Sequence, residues 1–225
     1  MATPPRYIEP DAIYLVTRCV EGRRFLLRPD QRLSSLFVYF LAHYAEVHGA
    51  RIHAVVVMST HFHMVVTVPD ENVSDLMHDL DLLLSIEVKR LRRQAIGVTW
   101  EPGGLSVVQL MDAETVEREI AYCIANPPAA GLVWPTSRPE SATVRMTWPE
   151  SLRDDLESAR ERIRGRVELL VERAHAEAKR EGWKVMSARQ AMRVSPYRVA
   201  KSAGKLGGMS PHLAAADRRR RIAEI

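Results

Sequence analysis

Two apolar runs lie next to each other in the first half of the chain, with only a tight connection between them. Arg51–Met58 (RIHAVVVM) and His61–Val68 (HFHMVVTV) are rich in β-branched residues, and only Ser59-Thr60 separates them. Two such runs at this distance predict a β-hairpin. A fold for this chain must therefore accommodate a pair of antiparallel strands at its centre.

The segments on either side of this hairpin alternate between strand and helix patterns. We predict a strand over Ile13–Val20, a helix over Leu33–His48, a helix over Val73–Ile96, a strand over Leu105–Leu110 and a helix from Ala113 to about Asn126. Pro127-Pro128 is expected to end the last helix. The order β-α-β-β-α-β-α within about 130 residues favours an α+β fold over a doubly wound parallel fold. We expect a ferredoxin-like antiparallel sheet with helices on one face.

The sequence changes character after Val133. Residues 134–150 contain several prolines and no periodicity, which predicts a linker. Ser151–Glu181 predicts a charged helix, whose narrow apolar stripe fits either a partner helix or packing against the domain. We therefore expect a folded domain over 1–133, a linker over 134–150 and a C-terminal helix with a basic tail over 151–225. The apolar stripe consists of Leu156, Ile163, Val167, Leu170, Val171 and Ala174.

The charge distribution separates this tail from the rest. The formal net charge is +4, but residues 151–181 balance their charges, and the positive surplus lies in 182–225. Such a tail favours a polyanion partner, with a merely solvated tail as the alternative. No apolar run is long enough to span a bilayer, and the N-terminus lacks a signal-peptide pattern. Cys19 and Cys123 match no zinc spacing, so we expect a cytoplasmic protein without a membrane partner.

His61 and His63 open the second strand of the hairpin. Residues two apart in a strand share a face, so both rings point together while Phe62 and Met64 point to the other side. Two imidazoles on a sheet surface can hold one divalent ion, provided that a further ligand is present. Because eight histidines occur in the chain, a pair with no function remains the alternative.

Tyr122 and Asn126 form a second group, one helical turn apart. Both lie to one side of the apolar stripe of their helix, so a phenol and a carboxamide project from its flank. In the alternative interpretation, Tyr122 lies at the boundary of the core and Asn126 only ends the helix. Two imidazoles and an amide oxygen would suit Mg²⁺ or Mn²⁺ bound to a phosphate oxygen. A tyrosine beside that ion could attack the phosphorus.

Both groups resemble motifs of one known family. MSTHFHMVV resembles the His-hydrophobic-His motif of the HUH single-strand endonucleases. YCIANPPAAGLV resembles the Tyr-x-x-x-Asn-Pro-x-x-Ala-Gly-Leu-Val signature of their single-tyrosine transposases, in particular the REP-associated (IS200-like) group. LVTRCVEGRRFLLRPD is similar to that family's first strand and Arg-rich turn. The resemblance covers roughly residues 12–133.

The resemblance implies a ferredoxin-like (RRM-like) fold and a specific chemistry. His61 and His63 would be metal ligands, Tyr122 the nucleophile, and Asn126 a third ligand or a group that orients the metal. The family cleaves hairpin-forming single-stranded DNA through a 5′-phosphotyrosine and rejoins strands. It works as a monomer or as a homodimer. This chain departs from the family pattern at Thr60, where asparagine is usual, and also at Pro128 and Leu15.

A single-stranded substrate needs basic side chains along its backbone. The candidate DNA-binding residues are Arg18, Arg23, Arg24, Lys89, Arg90, Arg92, Arg93, Arg218, Arg219, Arg220 and Arg221. Trp100 and Tyr197 could stack on bases or serve in the core. The tail could hold the DNA or cover the active site.

Two other functions remain open. One is a domesticated, catalytically silent protein that binds single-stranded DNA or another nucleic acid. The other is a metal-dependent hydrolase that uses water as its nucleophile. Only Glu119 stands out as a nearby carboxylate for such a hydrolase.

Overall fold

The structure of the protein, a computed structural model, describes residues 8–28, 31–70, 73–93, 97–129 and 147–181. The predicted basic tail over 182–225 and residues 134–146 of the predicted linker lie outside these ranges. The division into a domain, a linker and a C-terminal extension therefore remains a prediction.

A four-stranded antiparallel sheet forms the centre of the fold. Its strands are β1 (Ile13–Val20), β2 (Arg51–Val57), β3 (His61–Thr67) and β4 (Trp100–Gln109). They lie side by side in the order β2-β3-β1-β4, and every neighbouring pair is antiparallel. β2 and β3 form the predicted hairpin. The order and the directions of the strands confirm the α+β, ferredoxin-like fold class.

Within the described ranges, four α-helices accompany the sheet, and several of their ends differ from the predicted ones. The helices are α1 (Gln31–Val47), α2 (Val73–Leu91), α3 (Ala113–Ala129) and α4 (Leu156–Arg180). The helix α2 stops before the predicted Ile96, because Arg93 adopts a left-handed φ of 53° that a helix cannot continue. The strand β4 begins at Trp100 instead of Leu105, and Gly103, with a φ of 69°, allows a bend within it.

The prediction that Pro127-Pro128 ends α3 is wrong. The helix continues through both prolines to Ala129. Proline lacks an N–H group, but its fixed φ is close to the helical value. At the end of a helix, the chain can therefore keep helical dihedral angles for one more turn with fewer hydrogen bonds.

The helices α1 and α2 cover one face of the sheet with an apolar core. Phe62, Met64 and Val66 of β3 are fully buried on this face. The Phe62 ring makes edge contacts with Phe37 of α1 and with Trp100 of β4, at centroid distances of 5.2 and 5.9 Å. Alternate residues of a strand point to opposite faces, so this core fixes which residues of β3 point away from it.

The other face of the sheet carries α3, which in turn packs against α4. Ala54 and Val56 of β2 and Val65 of β3 belong to this second core. We expected helices on one face only. The additional layer forms because α3 follows β4 and returns across the second face, where it buries its own apolar stripe.

The apolar stripe of α4 packs within the protein. Three of its predicted members, Ile163, Val167 and Val171, are buried together with Ala159 in the same core as the buried stripe of α3. Beside this contact, Arg162 donates two hydrogen bonds to the carboxylate of Glu117, at 2.7 and 3.0 Å. Glu117 is only 3% exposed. A buried carboxylate with a bidentate guanidinium partner fixes the position of α4 along α3.

The segment that leads into α4 joins the edge of the sheet. Thr147 donates its N–H to the carbonyl of Ile52, and its own carbonyl accepts a hydrogen bond from His53 Nδ1. The other ring nitrogen of His53 pairs with Thr67 Oγ1 at 2.8 Å. Within the described ranges, no helix combines the length and the apolar character needed to cross a bilayer.

Candidate active site

His61 and His63 project from β3 toward α3. Their ring centroids are 4.8 Å apart. This geometry follows from the strand period of two, since Phe62 between them points into the opposite core. His63 is 9% exposed and His61 is half-buried. The predicted pair therefore shares one face, as the sequence pattern indicates.

A threonine holds each of the two imidazole rings. Thr17 Oγ1 of β1 lies 2.8 Å from His63 Nδ1, because Thr17 stands opposite His63 in the β1–β3 register. Thr60 Oγ1 lies 2.8 Å from His61 Nδ1. In the tautomer in which each Nδ1 donates to its threonine, each Nε2 presents a lone pair. A hydrogen bond from the other ring nitrogen fixes the tautomer and the orientation of a histidine that binds a metal.

The Nε2 atom of His63 is buried and has no hydrogen-bond partner within the described part of the chain. A buried polar atom without a partner costs about 1–3 kcal/mol. Proteins therefore seldom keep such an atom unless a water, an ion or a ligand satisfies it. This atom points to a binding site on the α3 side of the sheet.

Tyr122 lies directly beside this histidine. The centroids of the Tyr122 and His63 rings are 5.2 Å apart. The residue sits next to the buried stripe of α3, which includes Ile120 and Cys123, and it remains 38% exposed. The side chain of Asn126, one turn later, forms a hydrogen bond with Tyr122. The structure thus brings together the four residues that the sequence placed in two separate motifs.

The surroundings of the site keep the imidazole rings neutral. Burial, together with the neighbouring His61 and Arg23, lowers the pKa of His63 from 6.5 to about 4. Burial and Arg23 also lower the pKa of His61. Neutral imidazoles at neutral pH are the form that coordinates a metal ion.

The pKa of Tyr122 shifts in the opposite direction from that of the histidines. Burial raises the pKa of its phenol, and Cys123 and Glu119 add to this effect. The hydrogen bond with Asn126 lowers the pKa but does not overcome burial. The phenol is therefore protonated at neutral pH, and a nucleophilic role requires that an additional positive charge or a base activates it.

Two imidazole nitrogens and an amide oxygen are donor types that divalent cations accept. His63 Nε2 lacks a partner, His61 is its neighbour, and Asn126 offers an amide oxygen on the facing helix. No group of three or more His, Cys, Asp or Glu side chains in the described ranges is arranged to hold a metal. A cation held here would have two imidazoles and neutral oxygen ligands, and would keep open positions for a substrate.

Four of the predicted DNA-binding arginines are engaged within the protein. Arg18 donates to Asp81 at 2.7 Å and lies over the Trp100 ring, with 14% of its side chain exposed. The others bind local carboxylates or carbonyls. Arg24 pairs with Glu21 and the Val98 carbonyl, Arg90 with Glu87, and Arg92 with the carbonyls of Leu26 and Arg28.

The remaining candidates differ in position. Arg23 is exposed and lies near the two histidines, whereas Lys89 and Arg93 lie at the end of α2. Arg218, Arg219, Arg220 and Arg221 lie outside the described residues, as does Tyr197. Trp100 is 6% exposed and donates its ring N–H to the Asp81 carbonyl, so it belongs to the core.

Sequence reasoning missed the role of Thr17. The register between β1 and β3 is the signal that could have identified Thr17. Once β1 is paired with β3, Thr17 faces His63, but the sequence gives no register for two strands that are separated by a helix and another strand. The shared face of His61 and His63, and that of Tyr122 and Asn126, needed only local periodicity.

Comparisons with known proteins add a structural likeness. No family model matches the sequence, and no curated protein matches it. Among solved structures, the chain is similar to a REP-associated tyrosine transposase bound to a REP hairpin, with 18% sequence identity and a TM-score of 0.49. The similar region covers 67% of this chain and 90% of that one. At this identity and TM-score, the likeness does not establish a family or an activity.

Proposed function

We propose that the protein is a metal-dependent tyrosine nuclease and strand transferase that acts on hairpin-forming single-stranded DNA. The observation that carries this proposal is the convergence of His61, His63, Tyr122 and Asn126 on one side of the sheet. The first two residues and the last two come from motifs about sixty residues apart, each of which resembles a motif of HUH transposases. Their contact supports a common chemical role for the two motifs.

Each residue has a distinct part in the proposed reaction. The Tyr122 oxygen attacks a backbone phosphorus, and a bond forms between them while the bond from phosphorus to the 3′-oxygen breaks. The phenolic proton leaves to solvent, to which Tyr122 is 38% exposed, and the departing 3′-oxygen takes up a proton. The product keeps the DNA as a 5′-phosphotyrosine, so attack by another 3′-hydroxyl rejoins strands without an external energy source.

The other residues prepare the site. His61 and His63 would hold a divalent cation, Mg²⁺ or Mn²⁺, with the help of Asn126. When bound, the cation would polarise the phosphate and lower the pKa of the phenol. Thr17 and Thr60 hold the imidazole rings in position. Asn126 holds the phenol by its hydrogen bond, so the nucleophile is positioned before the substrate arrives.

The decisive experiment is a test for a covalent adduct. The full chain is incubated with Mg²⁺ or Mn²⁺ and a 3′-labelled hairpin oligonucleotide whose single-stranded flanks have random sequence. We expect a labelled protein band that survives denaturation. The adduct should disappear in Tyr122→Phe, in the double variant His61→Ala/His63→Ala, and on addition of EDTA.

Matched variants control for indirect effects. Tyr39→Phe changes a tyrosine of α1 on the other side of the sheet, and His78→Ala changes an exposed histidine of α2. Both should form the adduct as the wild type does. Undiminished cleavage by Tyr122→Phe would indicate a hydrolase with a water nucleophile. Binding without an adduct under either metal would indicate a silent DNA-binding protein.

A further inference from the structure

The loop between β1 and α1, residues 21–28, lies beside the two histidines. Hydrogen bonds hold it to several other segments of the protein. Leu27 donates its N–H to the carbonyl of Ser59, two residues before His61, at 3.0 Å. Glu21 donates its N–H to the carbonyl of Thr99 at 3.0 Å. Gly22 donates to the side chain of Glu101 at 2.8 Å. These bonds connect the loop both to the hairpin and to β4.

Arginine side chains fasten the same loop from two further directions. Arg92, at the end of α2, donates to the carbonyls of Leu26 and Arg28. Arg24 donates to the Val98 carbonyl and to Glu21. Because its backbone is held on several sides, the loop presents its side chains in a fixed arrangement.

The side chain of Phe25 projects from this loop into solvent. Its side chain is 71% exposed, whereas its neighbours Leu26 and Leu27 are 6% and 0% exposed. Among the exposed large apolar side chains of the described ranges, Phe25 and Tyr122 are the aromatic ones. A single exposed apolar residue is ordinary on a mobile surface. An aromatic ring that a hydrogen-bonded loop holds next to the site can stack on a nucleic-acid base.

Arg23, two residues earlier, has an unusual backbone. Its φ is 53°, directly after Gly22 at 59°. A left-handed conformation costs a non-glycine residue about 1–3 kcal/mol, and such strain concentrates at functional sites. The side chain is exposed and forms no ion pair within the described part of the chain. It is also close enough to His61 and His63 to lower the pKa of both.

We propose that Arg23 and Phe25 form a nucleotide clamp, in which Arg23 binds a backbone phosphate beside the reacting one and Phe25 stacks on an adjacent unpaired base. The proposal rests on the proposed function for the identity of the substrate. It adds a reason why the site accepts single strands, because a base within a duplex cannot offer its face to Phe25. Arg23 supplies the charge contact and Phe25 the discrimination against duplex DNA.

The clamp can be tested without the cleavage reaction. The full chain is titrated in EDTA with a labelled single-stranded oligonucleotide, and with a version that carries 2-aminopurine at successive positions. Phe25→Ala should weaken single-strand binding roughly five- to 150-fold, which corresponds to about 1–3 kcal/mol per stacked base. It should also abolish the quenching of 2-aminopurine at one position. Phe25→Trp should retain both properties.

Arg23 has a separate readout, the salt dependence of binding. Arg23→Ala should reduce the slope of log K against log salt by about 0.7, the value for one phosphate contact on a single strand. Arg23→Lys should restore the slope, because it keeps the charge. The controls are Val47→Ala, an exposed apolar residue of α1, and Arg51→Ala, which lies at the opposite end of the hairpin from His61. Neither should change single-strand binding.

The outcomes separate the clamp from the cleavage chemistry. If the wild type forms the Tyr122 adduct but Phe25→Ala binds single strands and quenches 2-aminopurine as the wild type does, the clamp is wrong and the nuclease stands. If no adduct forms but single-strand binding depends on Phe25 and Arg23, the nuclease is wrong and the clamp stands. If Phe25→Ala alters self-association and leaves DNA binding unchanged, Phe25 is a protein contact and the clamp is overturned.

Discussion

The two faces of the sheet differ in the side chains that β3 presents to them. On the α1–α2 face, β3 contributes Phe62, Met64 and Val66, all fully buried among apolar neighbours. On the α3 face, the same strand contributes His61 and His63, and one buried ring nitrogen has no partner in the described structure. Successive residues of one strand therefore serve different purposes. One face receives only apolar side chains from β3, and the other receives two imidazole rings beside the apolar core of α3.

This comparison indicates how a small domain keeps a costly site. The α1–α2 core supplies extensive apolar burial, which can offset the unpaired nitrogen of His63. The helix α4 also stabilises the position of α3, because Arg162 of α4 binds Glu117 of α3, the helix that carries Tyr122. We therefore expect substitutions on the two faces to separate stability from activity.

The largest expected effect is on the stability of the apolar face. Phe62→Ala removes a fully buried ring that contacts Phe37 and Trp100. The free energy of unfolding should fall by about 3–5 kcal/mol, through lost burial and the cavity that remains. Urea denaturation measures this change. Leu82→Ala, at a 52% exposed position of α2, should change it by less than about 0.5 kcal/mol.

The next effect concerns His53, a polar residue buried on the α3–α4 side. Burial lowers its pKa from 6.5 to about 4, and Arg51 and Arg153 act in the same direction against the Thr147 hydrogen bond. The unfolded chain therefore binds a proton more readily than the folded chain between these values. Stability is retained above pH 6.5 and is lost as the pH falls toward 4, by roughly 3 kcal/mol from this residue.

Comparison with His53→Gln, which cannot titrate, isolates this contribution. Urea denaturation of both proteins between pH 7 and 4 should show that the wild type loses more stability than the variant. Parallel losses over this range would mean that His53 protonates equally in the folded and unfolded chains.

The smallest effect on stability should come from the residue next to Phe62. His63→Leu replaces a buried ring whose Nε2 lacks a partner, and the partly exposed Thr17 can turn to water. We expect the free energy of unfolding to change by less than about 1 kcal/mol. The same variant should form no adduct with single-stranded DNA. A loss of stability as large as that of Phe62→Ala would contradict the division between the faces.

Local patterns in the sequence were enough for much of the fold. The β-branched runs gave the β2–β3 hairpin, and helical spacing gave α1 and α2, although their ends moved by a few residues. The pattern failed at Pro127-Pro128, where a rule about helix interiors was applied to a helix end. It also gave no second helical layer, because nothing local indicates on which face of a sheet a later helix will pack.

For the site, the sequence by itself determined which residues can share a face: His61 with His63, and Tyr122 with Asn126. Both pairings follow from the repeat of a strand and of a helix, which depend only on neighbouring residues. Tertiary structure alone decided that the two pairs meet, that Thr17 contacts His63, and that Arg18 forms an ion pair with Asp81. These contacts join residues 46 to 63 positions apart. Strand register and the path of α3 across the sheet set them, and both are properties of the packed core.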